Sequence, residues 1–300
     1  MKESQLTNNF SISRIVHGHW RLLDWNFTPQ QLLSFTQQAI ELGITTFDHA
    51  DIYGNHECEA HFGATLNLQK GLRNDIQLIT KCGIKLATNK FPHRKIKYYD
   101  YSCEHIIKSV DNSLRNFGTD YIDLLLLHRP SPMLNPHEVA KAFSQLHQSG
   151  KVLHFGVSNF NPQQFNTLNN YLDEKLVTNQ VEISPNFLGE FDNGNMDFFL
   201  EKGIKPMAWS PLAGGKLMNP KTEKENRIAE VLIEIAHELE IDSLDKVVYA
   251  WLLKHPSNII PIVGSGIIER LKSATEALEV EMSLSQWFRI YNASTGVNLP

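Results

Sequence analysis

The sequence predicts an α/β fold built on one parallel sheet, and three observations carry that reading. Eight short apolar runs alternate with segments of helical period along the whole chain, the order expected of repeated βα units. The runs are almost continuously apolar, as strands buried on both faces are. Three of them stop at a charged or polar residue: Ile44-Thr45-Thr46-Phe47 at Asp48, Ile76-Gln77-Leu78-Ile79-Thr80 at Lys81, and Tyr121-Ile122-Asp123-Leu124-Leu125-Leu126-Leu127 at His128. In a closed eight-stranded barrel the C-terminal strand ends are where chemistry is kept. An open doubly wound sheet is the competing arrangement. It would place a glycine-rich turn directly after an early strand, and no G-x-G-x-x-G occurs here.

The elements follow in chain order. Residues 8–14 are read as an extra hairpin ahead of the first barrel strand. Strands are expected at 14–17, 45–48, 77–81, 121–127, 152–157, 178–182, 205–209 and 259–263. Between them, Ile106, Ile107, Val110, Leu114 and Phe117 share one helical face, as do Ile228, Val231, Leu232, Ile235, Ala236 and Leu239. Helix starts are marked chemically. Thr28-Pro29-Gln30-Gln31 places a cap, a proline at the first helical position and a glutamine three residues after the cap. Asn135-Pro136-His137-Glu138 and Asn161-Pro162-Gln163-Gln164 repeat the device, while Gly43 and Gly150 sit where helices should stop. Residues 84–99 form a long connection with five cations, Lys85, Lys90, Arg94, Lys95 and Lys97, and no acid. It is either a solvated loop or a basic lip over the barrel mouth.

Bulk properties bound the function. A chain of 300 residues suits a single α/β barrel domain spanning 1–300. With 42% hydrophobic and 20% charged residues it has material for a large core. A net charge of -5 and a pI of about 6.2 argue against general nucleic-acid binding, which needs a basic footprint. Cys58, Cys82 and Cys103 are odd in number and form no C-x-x-C, so neither a disulfide framework nor a zinc site is expected, and a reducing compartment fits. Residues 1–10 hold no apolar signal region, and no apolar stretch approaches the ~18 residues that would span a membrane. A cytoplasmic protein without membrane or nucleic-acid partners is expected.

Asp48, Tyr53, Lys81 and His128 reach one rim and together can reduce a carbonyl. A free phenol has a pKa near 10 and is a reluctant acid at neutral pH. A nearby ammonium is expected to lower it. Asp48 would hold Lys81, Lys81 would tune Tyr53, Tyr53 would protonate the substrate oxygen, and His128 would orient that oxygen. The hydride must come from a cofactor, and a nicotinamide is the natural source. Ser158 and Asn159 can clasp a carboxamide, Gln180 adds another amide, and Trp209 offers a face for stacking. Ala213-Gly214-Gly215-Lys216 leaves room for backbone approach to phosphate. Gly264-Ser265-Gly266 and Arg270 suit a phosphate at a helix start.

These positions together resemble the aldo-keto reductase superfamily, over nearly the whole chain from Gly18-His19-Trp20 to Arg270. Phe47-Asp48-His49-Ala50-Asp51-Ile52-Tyr53-Gly54 is similar to its first signature. Lys81 and His128 match the rest of its catalytic tetrad. The resemblance implies a single-domain (β/α)8 TIM barrel and a bacterial NADP(H)-dependent oxidoreductase that reduces aldehydes or ketones. It implies cofactor contacts at Gly18, Trp20, Ser158, Asn159, Gln180, Trp209, Ser210, Leu212, Gly214, Lys216, Gly264, Ser265 and Arg270. Arg270 matches the residue used on the adenosine 2′-phosphate, which favours NADPH, and a monomer or weak oligomer is the family default. His49 stands where a small hydroxyl residue is common, and Gly264 replaces a frequent lysine. Ser273 and Ala274 replace an acid or amide and an asparagine that often hold adenine. The tail 282–300 is short and has room to close one side of the pocket. Two other readings are a redox-sensing regulatory protein, as in potassium-channel β subunits of the same fold, and a metal-dependent barrel hydrolase using His17-Gly18-His19 with His128.

Overall fold

The computed structural model describes residues 3–299. An antiparallel hairpin of β1 (Glu3–Thr7) and β2 (Phe10–Ser13) opens it. The sequence places this hairpin at 8–14. It begins at Glu3 instead, because Asn8 and Asn9 make the turn. Next come β3 (Val16–Gly18), β4 (Thr46–Asp48) and β5 (Gln77–Cys82), separated by α1 (Pro29–Glu41) and α2 (Cys58–Leu66). The long connection after β5 is pinned at its ends by a two-stranded ribbon, β6 (Ile84–Lys85) and β7 (Tyr98–Tyr99). Then α3 (Cys103–Phe117), β8 (Ile122–Leu127), α4 (Pro136–Gln148), β9 (Val152–Ser158), α5 (Pro162–Tyr171) and β10 (Leu176–Glu182) alternate. Two short helices, α6 (Gly189–Asp192) and α7 (Asn195–Lys202), lead to β11 (Met207–Trp209). The chain ends with α8 (Glu223–Glu238), α9 (Leu244–Lys254), β12 (Ile260–Val263), α10 (Ile268–Glu276) and α11 (Leu284–Thr295).

The eight anticipated strands close into a barrel in chain order, β3-β4-β5-β8-β9-β10-β11-β12, with β12 returning to β3. Neighbours are parallel throughout. The chemical punctuation works largely as read. Thr28 with Gln31 and Asn161 with Gln164 form reciprocal capping boxes on α1 and α5. At α4 the box stays open: Asn135 accepts from the His137 amide, but the Glu138 carboxylate turns to the Cys103 amide on α3. Gly43 and Gly150 take φ of 86° and 69°, a left-handed turn that glycine adopts without strain.

Two apolar layers result from the strand alternation. Val16, Ile79, Leu124, Leu126, Met207, Ile260 and Ile262 fill the barrel lumen, with Phe10 and Ile12 of the hairpin closing its lower end. The alternate residues, such as Leu78, Leu125, Leu127 and Val263, pack outward against the helices. The alternation positions the site. Two residues beyond Ile79 on the lumen face is Lys81, beyond Leu126 is His128, beyond Val16 is Gly18, and beyond Met207 is Trp209. The expected tail becomes α11, which packs beside α8 and exchanges indole–carbonyl hydrogen bonds with α9 through Trp287 and Trp251. No described residue of 282–299 lines the cleft, so this part of the tail does not close the pocket.

Candidate active site

Lys81 is 1% exposed, and its ammonium is ringed by acceptors. Nζ lies 2.8 and 2.7 Å from the two Asp48 carboxylate oxygens, 2.7 Å from the His49 carbonyl and 3.1 Å from the Tyr53 hydroxyl. Gln180 Nε2 donates to Asp48 Oδ1 at 2.8 Å and fixes the carboxylate from across the barrel. Burial alone would depress the Lys81 pKa, but Asp48 and then Tyr53 outweigh it and the net direction is upward. The ammonium therefore stays charged.

For Tyr53 the sequence expectation needs correction. Burial pushes its pKa up, the Lys81 charge pulls it down, and the Asp48 charge pushes it up again; the net direction is upward, not downward. The phenol is accordingly a fully loaded proton donor. The Lys81 ammonium lies 3.1 Å from its oxygen but does not bring its pKa below the ordinary value. His128 stands edge-on to Tyr53, with ring centroids 5.9 Å apart. Burial first, then the charges of Lys81, Arg129 and Lys97, hold it well below the usual histidine range, so its ring is neutral.

These groups lie at one end of a cleft of about 370 Å³, within the range of small-molecule sites. Asp48, Tyr53 and His128 line it, while Lys81 lies behind them. Gly18, Trp20, Ser158, Asn159, Gln180, Trp209, Ser210, Leu212, Gly214, Gly264, Ser265 and Arg270 all line the same cleft. Lys216 does not: it is exposed, outside the cleft lining. Trp20 is 60% exposed at the rim. The Trp209 indole donates to Asn159 Oδ1 at 3.0 Å, Asn159 Nδ2 donates to Ser158 Oγ at 2.7 Å, and Ser158 Oγ donates to the Gln180 carbonyl at 2.8 Å. Asn159 and Ser210, both just past strand ends, hold left-handed φ of 63° and 51°, strain of the kind concentrated at functional sites.

Sequence reasoning missed two cations in the wall, Arg21 and Arg129. Arg21 lies 5.4 Å from the ring centroid of Trp20, and Arg129 lies 5.5 Å from that of Trp209. Each directly follows a residue already singled out, Trp20 or His128, which is the signal that could have found it. The basic-lip reading holds for one of its five cations. Lys97 lines the cleft, whereas Lys85 pairs with Asp100, Lys90 with Glu57, and Arg94 bonds the Leu86 carbonyl. The metal-hydrolase geometry does not form. Gly18 faces the cleft, so its neighbours His17 and His19 face outward, bonded to each other and packed on Trp25. His128 lies on the other side of the sheet. Among the described residues no group of three or more His, Cys, Asp or Glu is arranged to hold a metal ion.

Known proteins agree with this architecture. Residues 14–294 match the family model described as the Aldo/keto reductase family. The chain is 49% identical over 300 residues to Uncharacterized oxidoreductase YcsN of Bacillus subtilis (strain 168), covering 100% of both. It is 40% identical over 297 residues to the 6-dehydroglucose reductase of Agrobacterium fabrum, covering 99% of both. The solved glycerol dehydrogenase of Gluconobacter oxydans superposes with a TM-score of 0.85 at 19% identity, covering 100% of this chain and 97% of that one, a likeness of fold. The chain belongs to the aldo/keto reductase family.

Proposed function

We propose that the protein is an NADP(H)-dependent oxidoreductase that reduces a hydroxylated aldehyde, of the 6-dehydroglucose type, to its alcohol. One observation carries the reading: a buried ammonium bonded to both a carboxylate and a phenol, at the end of a cleft otherwise rich in cations. Arg21, Lys97, Arg129 and Arg270 line that cleft against one carboxylate, Asp48, already neutralised by Lys81. A chain of net charge -5 thus keeps a positive groove for an anionic ligand.

The residues fit a nicotinamide dinucleotide. Ser158, Asn159 and Trp209 would hold the nicotinamide, and Ser210, Leu212 and Gly214 the pyrophosphate. Beside exposed Arg270, α10 begins with no side-chain cap on its Ile268 and Glu269 amides, the Arg270 amide being bonded to the Ile267 carbonyl; a helix start of this kind favours phosphate. Gly264, Ser265 and Arg270 would take the 2′-phosphate. Gly18 has no room for a larger residue, since a Cβ there would lie 2.6 Å from Ile262. When bound, the cofactor supplies the hydride that no side chain can.

The protein's own residues do the rest. Neutral His128 hydrogen-bonds the carbonyl oxygen and aligns it. Tyr53 passes its proton to that oxygen as the C–H bond forms, leaving a phenolate beside the Lys81 ammonium. Asp48 and Gln180 keep the ammonium in place, and water returns the proton to Tyr53. Lys97 and Arg129 present donors to substrate hydroxyls, with Ile52 and Ile84 as apolar walls. The name of the 6-dehydroglucose reductase relative supports this substrate class.

We further read the enzyme as acting without nucleic-acid or membrane partners, as a monomer or weak oligomer in the cytoplasm. Among the described residues no helix is long and apolar enough to cross a membrane. The test is NADPH consumption with 6-dehydroglucose and with unsubstituted aldehydes. Tyr53→Phe is expected to lose roughly 10² to 10⁴ of the rate with NADPH affinity retained. Parental turnover by that variant, or no NADPH consumption with any aldehyde, would overturn the reading.

A further inference from the structure

Three histidines that this chemistry does not use stand in line behind the cleft. His17, His19 and His49 are fully buried at the ends of β3 and β4. Aromatic rings enclose them: His17 stacks on Trp25 at 5.2 Å, and His19 and His49 each lie 4.9 Å from Phe62. His17 Nε2 is 3.0 Å from the Ser265 carbonyl oxygen. His17 Nδ1 is 3.0 Å from His19 Nε2, and His19 Nδ1 is 2.8 Å from His49 Nε2. His49 Nδ1 has no partner among the described residues.

The proton order follows from one end. A carbonyl oxygen only accepts, so His17 Nε2–H must donate to Ser265. A neutral imidazole then has a bare lone pair at Nδ1, which takes the proton of His19 Nε2. His19 Nδ1 in turn accepts from His49 Nε2–H. All three rings are therefore neutral Nε2–H tautomers, and the unpartnered nitrogen of His49 is a lone pair. Burial, which holds all three well below the ordinary histidine range, supports their neutrality.

Both ends of this chain meet the site. Ser265 lines the cleft, and its hydroxyl accepts from the Ile267 amide at the start of α10, the helix that carries Arg270. At the other end the His49 main-chain carbonyl accepts from Lys81 Nζ. An apolar trio could fill the same space without burying six ring nitrogens. A hydrogen-bonded network instead fixes one arrangement.

We propose that His17, His19 and His49 are positioning residues, a proton-ordered imidazole strut that holds the Ser265 carbonyl and with it the wall that receives the dinucleotide phosphate. The ligand in this statement rests on the NADP(H) reading; the proton order does not. Two measurements test it. Nitrogen-15 NMR of the unaltered protein at neutral pH should show these three rings as neutral Nε2–H tautomers; an Nδ1–H tautomer or an imidazolium in any of them would overturn the strut. NADPH dissociation constants come from tryptophan quenching. His17→Phe should raise the constant about tenfold, His17→Gln, which can still donate to Ser265, by no more than about threefold, and His19→Phe, which touches neither Ser265 nor the cleft, by about threefold. The turnover number at saturating cofactor should stay within about twofold of the parent throughout, since the bond lost is not made to the reacting atoms. Parental NADPH affinity in folded His17→Phe and His19→Phe would sink the role alone. Failure of the parent to bind NADPH would sink the role and the proposed cofactor together. If the variants do not fold, the tautomer spectrum decides.

Discussion

Arg129 has a half-buried guanidinium on the cleft wall beside Trp209, directly after the histidine proposed to align the carbonyl. Removing it in Arg129→Ala should raise KM for a hydroxylated aldehyde at least about tenfold, the worth of a charged hydrogen bond. KM for NADPH should hold. Steady-state kinetics in both substrates checks this, and an unchanged aldehyde KM would remove Arg129 from recognition. His17 makes a different prediction, about pH. Its pKa is lowered from the ordinary value to about 4 by burial, with the Ser265 bond opposing. Below the unfolded histidine pKa of ~6.5 the unfolded chain binds a proton that the folded one refuses, so stability falls as pH drops toward the folded value. Between about pH 7 and pH 5 this one ring should cost the fold about 2 kcal/mol. Parent and His17→Phe, unfolded in urea at both pH values, should differ by that amount in their pH dependence. Equal slopes would mean that the buried ring is not held neutral.

At the scale of elements, the helix starts were legible because a cap, a proline and a glutamine are local signals. The open box at α4 was not, because Glu138 has a competing partner on α3. The most demanding contact between elements is also invisible in one dimension. A Cβ on Gly63 of α2 would lie 1.9 Å from the Asn116 carbonyl oxygen of α3. Beside it, Glu59 of α2 accepts from Thr80 at 2.7 Å, Ser113 at 2.8 Å and Asn116 at 3.1 Å, joining both helices to the strand that carries Lys81. Gly63→Ala must therefore part the two helices. It should destabilise the protein by about 1–3 kcal/mol or more, read from the urea midpoint, and lower turnover by loosening the seat of Lys81. Parental stability would show that α2 and α3 have slack there.

Across the whole molecule, stability and chemistry occupy opposite ends of the barrel. The hairpin plugs the lower end through Phe10 and Ile12, with Phe10 stacked 4.1 Å from His154, while every proposed reacting group lies at the upper end. Phe10→Ala should cost about 3–5 kcal/mol in unfolding free energy and leave both KM values unchanged. Altered KM values in the folded variant would show that the two ends communicate. The eight barrel strands and the residues at their ends were legible in the sequence itself, because periodicity and strand-end residues are local properties. Only the closed barrel decided the direction of the Tyr53 pKa, the outward facing of His17 and His19, the exposure of Lys216 and the entry of Arg21, Lys97 and Arg129 into the wall. Those outcomes depend on burial and on partners far apart in the chain, such as Gln180 and Asp48 at a separation of 132 residues. Desolvation exists only once the ring has closed around them.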